Sequence, residues 1–117
     1  MAISTTRIPE TWNMTLYKGD NWPPYSFRVV DESGAGVDMS GQEVLMQVKH
    51  RMGDSDAVKE LTHLSGFKIA GDLVTFDESL IVDMPAGAYN YDIELTINGK
   101  KYTQYAGLIT VKQDTSR

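Results

Sequence analysis

Residues 83–97 read Asp-Met-Pro-Ala-Gly-Ala-Tyr-Asn-Tyr-Asp-Ile-Glu-Leu-Thr-Ile. From Tyr89 to Ile97, aromatic or aliphatic residues alternate with polar ones. Because successive side chains of a β-strand point to opposite faces, this pattern predicts a strand with one buried and one solvated face. Asn98-Gly99 follows at once and indicates a tight hairpin turn, since both residues tolerate positive φ.

Further strands are predicted on both sides of this stretch, at residues 12–16, 25–30, 44–48, 67–70, 73–76 and 101–112. Gly71-Asp72 provides a second tight turn. Residues 57–64 fit either a short helix capped by Asp56 or a strand, and we favour the strand. About seven short strands with almost no helix indicate an antiparallel sandwich of two sheets or a small barrel.

Three segments interrupt the alternation. Residues 31–41 are polar and rich in glycine, and residues 50–56 are charged, so both are predicted to be exposed loops. Gly107 lies within the last strand, where a lone glycine marks a bulge or a close approach of another backbone. The pattern therefore does not assign the buried face of that strand across Gly107.

The composition predicts one folded domain. The 117 residues are 41% hydrophobic and 23% charged, which is the balance of a chain that buries a core. We expect an N-terminal arm at residues 1–10 and a single domain at residues 11–117. No stretch approaches the roughly 20 apolar residues that cross a bilayer, so no membrane contact is predicted.

Cysteine content and charge exclude several classes of site. The chain has no cysteine, which rules out disulfides, thiolate zinc sites and cysteine nucleophiles and is typical of intracellular or assembly-bound proteins. The net charge of −5 at pH 7 repels phosphate backbones. Nucleic acid is therefore not an expected partner.

No catalytic, metal-binding or cofactor-binding group can be assembled from the sequence. The two histidines, His50 and His63, do not accompany a nucleophile motif. Asp54 and Asp56 have the alternation of a calcium loop but lack its glycine and its bidentate glutamate. The protein is therefore predicted not to be an enzyme.

Aromatic residues around two prolines form the first candidate binding segment, Trp22-Pro23-Pro24-Tyr25. Proline lacks a backbone donor and cannot lie within a central strand, so the segment is predicted to be a loop or a sheet edge. Three interpretations are open. Trp22 folds back to cap one end of the sandwich, or the four residues form a protein interface, or Trp22 and Tyr25 stack on a sugar ring.

The N-terminal arm is the second candidate binding segment. Residues 2–9 show no periodicity, and Ile3, Arg7 and Ile8 are the candidate partner-binding residues of the arm. We hypothesise that residues 3–8 become ordered on the sheet edge of a neighbouring subunit. Trp12, just beyond the arm, alternates with Met14 and is predicted to lie in the core.

The segment before the main strand resembles the tyrosine corner of immunoglobulin-like sandwiches. In that motif the phenol hydroxyl bonds to backbone a few residues upstream, and Tyr89 takes this role here. Tyr91 stands where antibody domains have a disulfide cysteine, so the fold relies on packing alone. The resemblance favours the sandwich over the barrel. The predicted structural residues are Trp12, Tyr89, Tyr91, Ile93, Leu95 and Gly107.

A wider resemblance covers most of the chain. Its ordered motifs are Lys18-Gly19-Asp20, residues 31–36, Ser40-Gly41, residues 86–93, residues 105–111 and the terminal Thr115-Ser116-Arg117. This order is similar to that of small immunoglobulin-like domains of tailed bacteriophages, including the N-terminal domain of upper baseplate proteins. The resemblance implies an immunoglobulin-like antiparallel β-sandwich of about seven or eight strands, acting as a structural virion component.

The expected function is therefore that of a non-enzymatic structural or adaptor subunit of a phage tail or baseplate. Its expected partners are other virion proteins or copies of itself in a symmetric assembly, formed in the host cytoplasm. One alternative is a capsid decoration or neck protein. Another is a carbohydrate-binding module that uses Trp22 and Tyr25.

Overall fold

The computed structural model describes residues 10–31, 33–51, 53–54 and 56–113, with only the backbone of Glu10 included. This part of the chain contains nine strands and no helix, so the fold is all-β. The strands are β1 (Glu10–Thr11), β2 (Met14–Tyr17), β3 (Ser26–Arg28), β4 (Glu43–Lys49), β5 (Lys59–Thr62), β6 (Phe67–Ala70), β7 (Leu73–Phe76), β8 (Gly87–Ile97) and β9 (Lys100–Lys112).

The strands form two hydrogen-bonded sheets. The larger sheet has six strands in the order β1-β9-β8-β4-β5, with β2 also paired to β9. The smaller sheet has three strands in the order β3-β7-β6. The chain crosses from the larger sheet to the smaller one after β2, returns for β4 and β5, crosses again for β6 and β7, and ends in the larger sheet.

The alternation in residues 89–97 gives the central strand of the larger sheet. In β8, the residues Tyr89, Tyr91, Ile93, Leu95 and Ile97 are all at most 4% exposed, and those between them are half-buried. Asn98 and Gly99 close the β8–β9 hairpin with φ of 52° and 81°. Both angles are positive, as the hairpin prediction required.

The two other sequence-based assignments for short segments are also confirmed. Residues 59–62 form β5, which pairs in antiparallel register with β4, so the strand interpretation of residues 57–64 is correct. Gly71 has a φ of 60° in the turn between β6 and β7. Local turn chemistry therefore fixes both hairpin registers.

The N-terminal strands pair in parallel, which corrects the expectation of a wholly antiparallel fold. Glu10 lies opposite Tyr105, and Met14 lies opposite Ile109, both in parallel register with β9. Parallel neighbours need a long connection. Here the connection is almost the whole domain. Glu10, inside the predicted arm, is already paired in this sheet.

One buried cluster joins the two sheets. Among the described residues it contains 23 buried hydrophobic side chains, and both sheets and their connections contribute to it. Removing this apolar surface from water is the main favourable term in the stability of the fold. The largest side chains that are fully buried include Trp22, Tyr91, Phe76, Leu16, Met39 and Met46.

The glycine-rich connection between β3 and β4 is only partly exposed, which corrects the prediction of an exposed loop. Val37 and Met39 are each 0% exposed, whereas Asp38 between them is exposed. Val37 N donates to Val29 O and Met39 N donates to Gly71 O, each at 2.8 Å. These long-range bonds lay the segment along the smaller sheet, so its two apolar side chains enter the core.

The tyrosine corner is present. Tyr89 Oη donates to Pro85 O at 2.5 Å, four residues upstream, and the Tyr89 side chain is buried. The bond ties the connection before β8 to the start of that strand, as the sequence predicted.

Candidate interaction surface

Trp22 does not form an exposed platform, and its assignment as a partner-binding residue is wrong. Its side chain is 1% exposed and stacks on Phe76, with ring centroids 5.4 Å apart and an interplanar angle of 17°. Trp22 N donates to Leu80 O at 2.9 Å, which pins this loop to residues 80–82 and turns the ring inward. Of the three interpretations, the one in which Trp22 folds back is therefore correct, since its ring lies in the core, and a sugar-binding platform would lack this tryptophan.

The residues after Trp22 remain accessible. Pro23 is half-buried, Pro24 is exposed, and Tyr25 is 36% exposed. Tyr25 N donates to Pro23 O at 2.8 Å, a tight local turn that orients the tyrosine. The Tyr25 ring meets the Trp12 ring edge-on at 5.4 Å. The candidate segment thus contributes Pro24 and Tyr25 to the surface.

Tyr25 belongs to a larger group that we call the aromatic seam: Trp12, Tyr25, Phe27 and Tyr105. The Trp12 ring lies 5.2 Å from Tyr105, and Phe27 lies 5.1 Å from Tyr105, both edge-on. Such geometry adds about 0.5–1.5 kcal/mol per pair beyond the buried area. Trp12 and Tyr105 pack against the core and are only partly buried. The aromatic seam therefore covers one side of the core between the two sheets and still leaves aromatic surface exposed.

Trp12 is fixed by backbone and side-chain contacts from β8 and β9. The Tyr91 hydroxyl donates to Trp12 O. A Cβ at Gly107 would lie only 2.5 Å from that same oxygen. Leu108 N donates to Asn13 Oδ1 at 3.0 Å across the break between β1 and β2. Of the two sequence-based interpretations of Gly107, the close backbone approach is therefore correct.

The bulge of β9 lies at Gln104 instead. Ile93 pairs with Tyr105 and Glu94 pairs with Thr103, so Gln104 is the extra residue. This bulge shifts the buried face and turns Tyr105 toward the seam. Sequence reasoning missed Tyr105 because it assigned no face there, and Gln104 carries no turn signal.

Tyr91 is one of the residues that hold the Trp12 backbone in place. Its side chain is 1% exposed, and burial raises the pKa of the phenol well above its usual range, with a smaller contribution from Tyr105. The hydroxyl therefore stays protonated and acts as a donor. This contact supports the structural role that the sequence analysis predicted for Tyr91.

The two histidines lie at opposite ends of β4. His50 follows the last residue of β4, and its ring packs against Tyr89 at 5.1 Å. His63 N donates to Val44 O at 3.0 Å near the start of β4. Six residues of strand, about 20 Å, separate the two positions. They cannot share one site.

Residues His50, Asp54 and Asp56 line one shallow concavity, and His63 lines another with Glu43 and Glu94. Asp54 Oδ2 accepts a bond from Arg51 N at 3.1 Å, so that carboxylate closes a local turn. Within the described residues, no three His, Cys, Asp or Glu side chains are placed to hold a metal ion.

Three candidate partner-binding residues, Ile3, Arg7 and Ile8, lie outside the residues that the structure describes. Across the described ranges, no helix is long and apolar enough to cross a membrane.

Comparison with known proteins identifies no family. Neither the protein-family models nor the curated proteins give a match. Among solved structures, the chain is similar to one described as "Drosophila OTK, extracellular domains 3-5", with 12% sequence identity and a TM-score of 0.35. The similarity covers 97% of this chain and 35% of that chain, so this protein spans about a third of the other's length.

Proposed function

We propose that the two sheets form an immunoglobulin-like sandwich. The order β9-β8-β4-β5 beside β3-β7-β6 corresponds to the G-F-C-C′ and B-E-D sheets of variable-type immunoglobulin domains. The Tyr89–Pro85 bond supports the proposal, because a tyrosine corner is a hallmark of that architecture. If β1 and β2 count as one strand interrupted at Trp12 and Asn13, the described residues hold eight strands.

We propose that the protein is a non-enzymatic structural or adaptor subunit of a bacteriophage virion, located in the tail or baseplate. It works through contacts with other virion proteins or with copies of itself. The motif order in the sequence supports the phage assignment. The aromatic seam carries the proposal of protein contacts, because it presents partly exposed aromatic rings beside two strand edges.

The mechanism is geometric. The shared core keeps both sheets in one arrangement, so Tyr25 and the strand edges are presented at fixed positions. A ring or collar then multiplies weak contacts, because each copy that binds raises the effective concentration of the next site.

Localisation in purified particles tests the proposed function. Immunogold labelling with an antibody against this protein should place gold on the tail or baseplate of the virion. Gold on the head or neck would instead support the capsid decoration or neck alternative. Absence of the protein from purified, infectious particles would refute a virion role altogether.

A further inference from the structure

The turn between β8 and β9 contains an asparagine followed by a glycine, a pair that has its own covalent chemistry. The chain has four asparagines, at positions 13, 21, 90 and 98, and only Asn98 precedes a glycine. Glycine has no Cβ, so the backbone nitrogen of Gly99 is less hindered than that of any other residue type. Asn98, Gly99 and Lys100 are all exposed, so water and hydroxide reach this pair.

The reaction available to the pair is deamidation through a succinimide ring. The Gly99 nitrogen gives its proton to hydroxide and bonds to Asn98 Cγ, while the Cγ–Nδ2 bond breaks and ammonia leaves with a proton from water. Water then opens the ring at one of its two carbonyl carbons. Opening at Cγ leaves aspartate, and opening at the Asn98 backbone carbon leaves isoaspartate, in which the main chain runs through Cβ and Cγ. Water is the only co-reactant.

The closed turn holds the reacting atoms apart. Asn98 and Gly99 have φ of 52° and 81°, and Ile97 lies opposite Lys100. Positive φ at both central residues of a two-residue loop defines the type I′ turn, in which the first residue has a ψ of about +30°. At that ψ, Gly99 N points away from Asn98 Cβ, whereas ring closure needs both on the same side of the Cα–C bond. The reaction therefore requires a large rotation of ψ, which opens the turn.

Gln42 holds one half of the turn against this rotation. Asn98 N donates to Gln42 Oε1 at 3.0 Å, and Gln42 Nε2 donates to Asn98 Oδ1 at 3.3 Å. The first bond fixes the backbone of Asn98, and the second fixes the side-chain carbonyl that would be attacked. The pairing of Lys100 with Ile97 fixes the other half of the turn. Rotation about ψ must break one of these attachments.

Gln42 is itself attached to the body of the larger sheet. It is half-buried, and its backbone N donates to the O of Met39, a residue that is 0% exposed, at 3.0 Å. The next residue, Glu43, pairs with Thr96 of β8. Because β4 and β9 flank β8 on opposite sides, Gln42 restrains the turn from the side that β9 does not cover.

We propose that Asn98 is a deamidation site and that Gln42 keeps it unmodified while the hairpin is closed. Isoaspartate would add a methylene group to the main chain of the turn, which joins the two longest of the described strands. Formation of isoaspartate would therefore disturb the pairing of β8 with β9 permanently and mark chains whose central hairpin has opened. The inference goes beyond the proposed virion function and does not depend on it.

Mass spectrometry of the full-length protein during storage tests the proposal. Wild-type protein and Gln42→Ala are kept in mildly alkaline buffer and digested at intervals, and tandem spectra give the fraction of chains with an acid at position 98. Loss of the Gln42 bonds favours the open turn. We expect deamidation to be about two- to tenfold faster in Gln42→Ala, the effect of one net hydrogen bond on an opening equilibrium.

Gln47→Ala is the matched control. Gln47 is also half-buried, and its side chain donates to Glu60 Oε2 at 2.7 Å instead of to the turn. With folding checked by circular dichroism, this variant should deamidate at Asn98 at the wild-type rate. Equal acceleration by Gln42→Ala and Gln47→Ala, or no acceleration by Gln42→Ala, overturns the role of Gln42.

Gln42→Glu separates the two bonds and is closer in shape to the natural side chain. It keeps the acceptor for Asn98 N and removes the donor to Asn98 Oδ1, so its rate should lie between those of wild type and Gln42→Ala. A rate equal to that of wild type in this variant contradicts the proposed restraint of the side-chain carbonyl.

A further comparison uses wild-type protein alone. In guanidinium, where the turn is lost, Asn98 should deamidate at least about tenfold faster than in the folded protein, since opening breaks more than one hydrogen bond. Asn90, which precedes a tyrosine, should react more slowly than Asn98 in the unfolded chain. Equal rates at Asn98 in the folded and unfolded chain would show that the closed turn gives no protection, and a faster reaction at Asn90 would refute the assignment of the site.

Discussion

At the scale of single residues, one backbone oxygen organises the aromatic seam. Trp12 O accepts the Tyr91 hydroxyl while Gly107 passes so close that a Cβ would lie 2.5 Å away. Neither contact depends on the Trp12 ring itself. The indole is therefore positioned through its backbone, and the ring is left to meet Tyr25 and Tyr105.

We predict that Gly107→Ala destabilises the fold by about 1–3 kcal/mol, the cost of overpacking a tight contact. The methyl group would meet backbone atoms of Trp12, which cannot rotate away as a side chain can. Urea unfolding measures the change. Thr103→Ala, at an exposed position of the same strand, is the control and should shift the free energy of unfolding by less than about 0.5 kcal/mol. If Gly107→Ala unfolds at the same urea concentration as the wild-type protein, the prediction is wrong. The backbone at Trp12 and Asn13, between β1 and β2, would then move aside for the methyl group without cost.

The tyrosine corner gives a second residue-scale prediction. Tyr89→Phe removes the hydroxyl that bonds Pro85 O and should lower the free energy of unfolding by about 1 kcal/mol. Tyr102→Phe is the matched control, because that side chain is partly buried and no hydrogen bond of its hydroxyl is found within the described residues. Equal effects of the two substitutions on the unfolding midpoint would mean that the corner bond contributes nothing specific.

At the scale of elements, the same local turn occurs twice in the connection between β3 and β4 and once in the connection between β7 and β8. Asp31, Asp38 and Asp77 each accept a bond from the backbone N–H of the serine two residues on, at 2.9 Å in every case. Aspartate followed by serine in this way forms a turn that replaces backbone pairing. The hydrogen bonds favour the charged carboxylate and lower the pKa of all three groups.

Asp77 makes this effect measurable. The backbone N–H of Ser79 is the main cause of its lowered pKa, followed by the Ser79 hydroxyl and the charge of Lys68. A carboxylate whose pKa falls on folding stabilises the protein above the unfolded pKa of about 3.9, and that stability is lost as pH falls through the folded pKa. Asp77→Asn should therefore flatten the loss of stability below pH of about 4. NMR titration of Asp77 near the unfolded value would contradict the assignment.

Sequence reasoning succeeded where burial follows local alternation and failed where it follows distant contacts. β8 and the Asn98-Gly99 turn were predicted because period and turn chemistry lie within a few residues of one another. The burial of Trp22 depends on Leu80 and Phe76, more than fifty residues away. No pattern in the residues next to Trp22 indicates which distant residues will cover it. Parallel pairing of β1 and β2 with β9 escaped prediction for the same reason.

At the scale of the whole molecule, Phe76 joins segments of both sheets that lie far apart in the sequence. Its ring stacks on Trp22, lies 4.9 Å from Phe67 and meets Trp12 at 6.0 Å. Through Trp12 it contacts the edge of the larger sheet, while its own strand β7 lies in the smaller one. The surface that we propose for binding therefore rests on the same core that holds the two sheets together.

If the sheets share one core, they should also unfold as one unit, and Phe76→Ala tests this. We expect a loss of about 3–5 kcal/mol, typical of deleting a buried phenylalanine. Hydrogen exchange should accelerate equally in β4 and β8 of one sheet and in β7 of the other. Leu73→Ala removes an apolar side chain that is 36% exposed from the outer face of β7, and should cost less than about 2 kcal/mol. If Phe76→Ala accelerates hydrogen exchange only in the smaller sheet, the larger sheet is stable on its own. The aromatic seam would then lie between two sheets that unfold independently.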